Sequence, residues 1–149
     1  DLLATCAGIL DVSLPDNAGE DSASNLGVWC GEPADNSVRE ATIHHSIDGS
    51  FSIRKGKWKL EMCKGSGGWS YPRPDSDYFG LPPIQLYDLN ADIGECWNVY
   101  EKYPEIVEEL KSLLTQYVNT GRSTLGANQD NFERIEWEQL WWMLTRTPS

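Results

Sequence analysis

Between residues 51 and 62 the chain reads FSIRKGKWKLEM, with apolar and polar residues alternating on both sides of Lys55-Gly56. A period of two is the signature of a strand with one dry face and one wet face, and it does not suit a helix. Phe51 and Ile53 share one face, with Ser50, Ser52 and Arg54 opposite. After the break at Gly56, which suits a tight turn or bulge, Trp58, Leu60 and Met62 alternate with Lys57, Lys59 and Glu61. Upstream, Asp48-Gly49 predicts a type I′ hairpin turn, because glycine tolerates the positive φ such a turn needs. The first strand then spans 41–47 and the second 50–54, and IQLYDL at 84–89 supplies a fourth.

A half-wet antiparallel sheet needs a cover for its dry face. The best-defined helix in the sequence provides one. Pro104 is preset for a first helical turn, and Glu105, Glu108 and Glu109 sit early, where the helix dipole favours them. Ile106, Val107, Leu110, Leu113, Leu114, Tyr117 and Val118 recur along one side, and Gly121 is a stop. The predicted class is therefore α+β: a small antiparallel sheet of about four strands packed against a C-terminal amphipathic helix.

Composition narrows the function classes. The 149 residues are enough for one domain with a core. A formal net charge of -11 argues against nucleic acid, which calls for a basic surface. The longest apolar run is too short to span a bilayer, so no membrane partner is expected. Cys6, Cys30, Cys63 and Cys96 are scattered without a C-x-x-C pair and read as buried or half-buried free thiols. The opening DLLATCAGIL reads as a short helix with Leu2, Leu3, Cys6, Ala7, Ile9 and Leu10 on one face and Asp1 favourable at its start. It has neither Met nor a signal pattern, and reads as a chain cut from something longer. LPDNAGEDSASN and residues 31–37 are loops. Residues 1–130 are taken as the domain. Residues 131–149 form a Trp-rich tail of unknown role, read either as an amphipathic helix or as a segment foreign to the domain.

Several stretches, in order, resemble the C-terminal subdomain of the sulfatase family, the arylsulfatase-type, formylglycine-dependent enzymes. Arg54 to Leu60 matches the family's Arg-x-Gly-x-Trp-Lys-Leu strand, and Leu86 to Leu89 its Leu-Tyr-Asp-Leu strand. Asp92 to Val99 matches an Asp-Pro-x-Glu-x-x-Asn-Leu connector, with Ile93 in place of the proline, and Pro104-Glu105 opens the helix. DLLATCAGIL is similar to the family's Asp-Leu-x-x-Thr helix, and LPDNAGEDS to its Leu-Pro loop. The resemblance covers roughly residues 1 to 125. It implies a sulfuric ester hydrolase whose calcium and formylglycine belong to an N-terminal catalytic domain. The family's Cys-x-Pro-Ser-Arg motif (or its serine counterpart) is not found here, since the four cysteines read CAGIL, CGEPA, CKGSG and CWNVY. The implied partners are that N-terminal domain and, through the complete enzyme, a sulfated small molecule or glycan. The implied role is to complete the fold and line the substrate cleft, with no catalytic residue and no activity alone. The alternative is a stand-alone glycan-binding or protein-interaction module.

The candidate substrate-binding residues are His44, His45, Trp69 and Arg73. Adjacent strand histidines point to opposite faces. In the resemblance, a histidine of this subdomain contacts substrate, and an imidazole suits a sulfate oxygen or a sugar hydroxyl. Trp69 and Tyr71 either stack on sugar faces or pin their loop to the sheet, and Arg73 suits a sulfate or carboxylate. Arg54, Lys55, Lys57 and Lys59 read as a solvated strand face before an anion site. Asp75, Asp77, Asp88 and Asp92 lack calcium-loop spacing and read as turn and cap residues, so no metal site is expected in this chain.

Overall fold

A computed structural model describes residues 1–33, 38–73, 78–130 and 137–143. The chain divides into two compact units. One comprises residues 1–40 and 116–133, the other residues 41–115 and 134–149, so the boundary falls within a helix.

The second unit carries the sheet. Strands β1 (Thr42–His45), β2 (Phe51–Lys55), β3 (Trp58–Glu61) and β4 (Gln85–Asp88) run antiparallel in the order β1-β2-β3-β4. The register sets Ile43 beside Ile53, Ile53 beside Leu60 and Leu60 beside Leu86, which makes one continuous apolar row. Ile53, Leu60 and Leu86 are fully buried. Val107, Leu110 and Leu114 of the covering helix, Pro104–Thr120, are buried as well. The alternation and the helical stripe thus meet as one core, which bears out the expected α+β architecture.

The turns differ in one respect from expectation. Gly56, at φ 57°, occupies the first central position of the two-residue β2–β3 connection, as a type II′ turn requires. Asp48-Gly49 does not form the expected type I′ turn. Ser46 N–H bonds to Ser50 O at 2.9 Å and Gly49 N–H to Ser46 O at 3.1 Å, which closes a three-residue loop with Gly49 alone at positive φ, 83°. This is the turn-plus-left-handed-residue hairpin. Asp48 keeps a negative φ and uses its carboxylate locally, accepting from Ser50 N–H at 2.9 Å and from the Ser46 hydroxyl.

In the first unit lie helices α1 (Leu2–Ile9) and α2 (Leu26–Trp29). The expected apolar face of α1 is not buried: Leu2, Leu3, Ile9 and Leu10 are exposed, whereas Thr5 is completely buried. The Thr5 hydroxyl donates to Asp1 O at 2.7 Å and accepts from Asn25 N–H at 2.9 Å, joining α1 to the loop before α2. Asp1 makes no side-chain cap on α1; its carboxylate accepts from Ala23 N–H at 3.0 Å and pairs with Arg39. The covering helix, α3, ends where Gly121 adopts φ 64°. Arg122 N–H bonds to Tyr117 O and Gly121 N–H to Val118 O, the pattern of a Schellman stop. Arg122 is buried and gathers Asp16, Thr124, Leu125 and Ala127 around its guanidinium, closing the loop that follows α3.

Seven residues of the Trp-rich tail, 137–143, are described, and they belong to the sheet's unit. Glu138–Met143 forms a short 3₁₀ segment rather than the amphipathic helix considered above, and Ile135 and Leu144 lie outside the described residues. Within the described residues, Trp137 and Trp142 pack on Phe51 with ring centroids 6.3 and 5.7 Å away.

Truncating Leu60 to alanine opens a cavity at the centre of the apolar row. The expected loss is about 2–5 kcal/mol, read as a lower urea midpoint by tryptophan fluorescence. Exposed Leu10→Ala is expected to stay within about 0.5 kcal/mol of the parent.

Candidate functional site

The face opposite the core carries Thr42, His44, Ser52, Arg54, Lys59, Glu61, Gln85 and Tyr87, as the register dictates. Over part of it lies an open cleft of about 470 Å³. Its floor is His44, Ser52, Arg54, Lys59 and Glu61. One rim comes from the hairpin loop and the loop after β3, through Ser46, Ser50, Cys63 and Ser66, and the other from Leu89, Ile93 and Glu95.

Each rim is fastened to the sheet. Gln85 Nε2 donates to Cys63 O at 3.0 Å and Gly65 O at 2.7 Å, holding the start of the 63–83 loop over β4. The same loop meets the hairpin where Asp48 N–H bonds to Gly67 O at 3.3 Å. There is no room for side chains at this contact. A Cβ on Gly67 would stand 2.6 Å from Ser46 Cβ, and one on Gly68 would stand 2.4 Å from Ile47 Cγ2. Close approach to the hairpin, together with positive φ at both positions, is thus the physical reason for glycine at 67 and 68.

The opposite rim is the connector after β4. Asp92 accepts from Cys96 N–H at 2.7 Å and Trp97 N–H at 2.8 Å, which rounds the turn. Asn98 accepts from Leu86 N–H at 3.0 Å and donates to Ile84 O at 3.1 Å, so its amide stands in for another strand along β4. Glu95 sits between them at φ 53°, a conformation uncommon for a residue with a side chain. Its carboxylate takes both bonds from Lys59 Nζ, at 2.8 and 2.7 Å. Asp, Glu and Asn of the connector motif thus each have a structural task. Asp88, which accepts from Asn90 N–H at 3.1 Å and pairs with Lys57, is likewise a turn residue, while Asp75 and Asp77 lie outside the described residues.

Lys59 also pairs with Glu61 at 2.8 Å. Partial burial works against its charge, but the bonds and charges of Glu61 and Glu95 outweigh that and raise its pKa. Lys55 pairs with Glu109 and Lys57 with Asp88. In the cleft itself, Arg54 and Lys59 face Glu61 and Glu95, so the formal charges cancel. The basic run is not one face: Arg54 and Lys59 share the wet side, whereas Lys55 lies on the core side of β2 and Lys57 in the β2–β3 turn, each paired with a carboxylate, so the run makes no positive floor.

His44 and His45 both contribute to the lining, although the register puts them on opposite faces. His45 packs on Phe51 at 4.1 Å and its Nδ1 lies 3.2 Å from Gly49 O. Trp69 and Arg73 are not among the lining residues. Trp69 is 74% exposed and Tyr71 78%, so Trp69 does not pin the loop to the sheet. Arg73 Nε donates to Trp69 O at 3.1 Å, and its guanidinium lies 5.3 Å from the centre of the Tyr71 ring. The four cysteines are free, but Cys6, Cys30 and Cys96 are exposed, against expectation. Only Cys63 is half-buried; burial, then the charges of Glu61 and Asp48, push its thiol up to about 11.

In sequence, the chain is 33% identical over 115 residues to the N-acetylgalactosamine-6-O-sulfatase of Bacteroides thetaiotaomicron, a match covering 76% of this chain and 22% of that protein. It is 40% identical over 65 residues to arylsulfatase K of Gallus gallus, covering 43% of this chain and 12% of that one. In structure, it matches a protein solved in connection with glycosaminoglycan metabolism by Bacteroides thetaiotaomicron and designated 6S-sulf. The TM-score is 0.60 and the identity 30%, over 78% of this chain and 24% of the other. No family profile matches. The chain thus spans about a fifth or less of the curated relatives' length. In sequence and fold it corresponds to the C-terminal portion of sulfatases.

Sulfatase relationship implies calcium and formylglycine in the parent enzyme. Among the described residues no three His, Cys, Asp or Glu side chains group to hold a metal ion. Cys63, the cysteine in the cleft, lies in CKGSG and has its thiol pushed up by burial.

Lys59→Met removes the tie between sheet and connector. A loss of about 1 kcal/mol at neutral pH is expected for so solvent-screened a group. Because folding raises the Lys59 pKa, its contribution is complete below 10.5 and is lost as pH rises through the folded value. Urea melts of parent and variant are therefore expected to converge above pH 10.5.

Proposed function

We propose that this chain is the part of a sulfatase that completes the enzyme's fold and lines its substrate cleft, and that it does not hydrolyse sulfate esters alone. The observation that carries this reading is the open cleft over the wet face, with two histidines, four serines, Arg54 and the Lys59 carboxylate pairs converging on it. Such a lining offers donors and acceptors in balance, which suits sugar hydroxyls. The substrate class is a sulfated amino sugar or glycan, in keeping with the names of the relatives. His44 and His45 act as hydrogen-bonding residues toward it, while Trp69 and Arg73 supply stacking and charge outside the cleft. The nucleophile, the calcium and the sulfate-holding charges belong to an N-terminal sulfatase domain. Exposed Leu2, Leu3, Ile9, Leu10 and Trp29 supply apolar surface for contact with that domain.

A second reading, a stand-alone glycan-binding module, draws on the exposure of Trp69 and Tyr71 beside Arg73. One titration separates the two. With N-acetylgalactosamine 6-sulfate at millimolar concentration, the NMR signals of His44, His45 and Ser52 are expected to shift, with no sulfate released. Shifts confined to Trp69–Arg73 favour the stand-alone module. A spectrum that does not move overturns the cleft reading, and sulfate release overturns the claim of inactivity.

A further inference from the structure

β1 is an edge strand, held on one side only by β2. It nevertheless carries His44 and His45, and the loop that follows it adds Ser46 and Ser50 to the same rim. A rim built on an edge hairpin drifts unless something behind it fixes its position, because edge elements open at low cost. The described part of the tail lies where that support is needed.

Four contacts tie residues 137–143 to the sheet and its adjoining loops, and a fifth ties them to α3. Gln139 Nε2 donates to Asp48 O at 2.9 Å, at the apex of the hairpin loop. Trp137 stacks on Phe51, and Trp142 meets the same ring edge-on. Trp141 Nε1 donates to Met62 O at 3.0 Å, where the chain leaves β3. Trp142 Nε1 donates to Thr115 Oγ1 of α3 at 3.1 Å. Phe51 is also the ring on which His45 rests, 4.1 Å away. A path of direct contacts therefore runs from α3 through Trp142 and Phe51 to His45, and a second runs from Gln139 through Asp48 to the loop.

We propose that residues 137–143 are a clasp that positions the β1–β2 rim of the cleft, with Gln139 and Trp142 as the positioning residues. The clasp does not touch ligand. It fixes His45, Ser46 and Ser50 through the loop backbone and the Phe51 ring. Its structural role stands on these contacts alone, and only its consequence for substrate rests on the cleft reading above.

The test needs no ligand, so its failure is distinct from failure of that reading. Hydrogen exchange is measured on the full chain and on Gln139→Ala, Trp142→Ala and Trp142→Phe. Gln139→Ala is expected to speed exchange at the Ser46 and Gly49 amides by about fivefold, the loss of one typical hydrogen bond. The amides of Leu60 and Leu86 are expected to stay at the parent rate. Trp142→Ala is expected to move the His45 ring signals, and Trp142→Phe, which keeps a ring against Phe51, to restore much of their position. Unchanged hairpin exchange in Gln139→Ala overturns the clasp. So does exchange that rises equally across all four strands, since that reports stability and not position.

Discussion

Lys59 stands on the wet face of the central sheet with a carboxylate from its own strand on one side and a carboxylate from the connector on the other. Much of what is distinctive on this face follows from that ammonium. It draws Glu95 across β4, and Glu95 in turn keeps an unusual backbone conformation in a turn rounded by Asp92. The connector thereby becomes a rim. Without it the face would be a flat solvated sheet, the ordinary outcome for alternating strands.

The same arrangement limits what the cleft can hold. Two cations meet two carboxylates, so no unbalanced positive field remains to gather a sulfate group. Hydroxyls and imidazoles make up most of the remaining polar lining. This is consistent with the function proposed above, in which charge and metal belong to a catalytic domain and this portion holds the sugar.

Much of the fold was legible in residues 51–62, where strict alternation leaves one way for the strands to lie, and in the stripe of α3. What local pattern missed is physical in origin. Asp48-Gly49 has the composition of a two-residue turn, but the loop is closed between Ser46 and Ser50 and its apex is bonded to Gly67, a contact no window of a few residues can contain. α1 has the periodicity of a buried face, yet the residue it buries is Thr5, whose hydroxyl finds its partner at Asn25. Within the site, Ser52, Arg54, Lys59 and Glu61 could be read as one face from their spacing. Glu95 was visible only as part of a motif, because its partner lies 36 residues earlier. The tail stayed open between an amphipathic helix and a foreign segment because its contacts are distant in sequence: indole N–H groups reach Met62 O and Thr115 Oγ1.

The central claim is that this chain works as the cleft-lining C-terminal portion of a sulfatase. Sequencing the reading frame ahead of the codon for Asp1 tests it most directly. The account predicts an in-frame Cys-x-Pro-Ser-Arg or Ser-x-Pro-Ser-Arg motif with an early Asp-Asp pair. A start codon immediately ahead of Asp1, with no such frame, would contradict it.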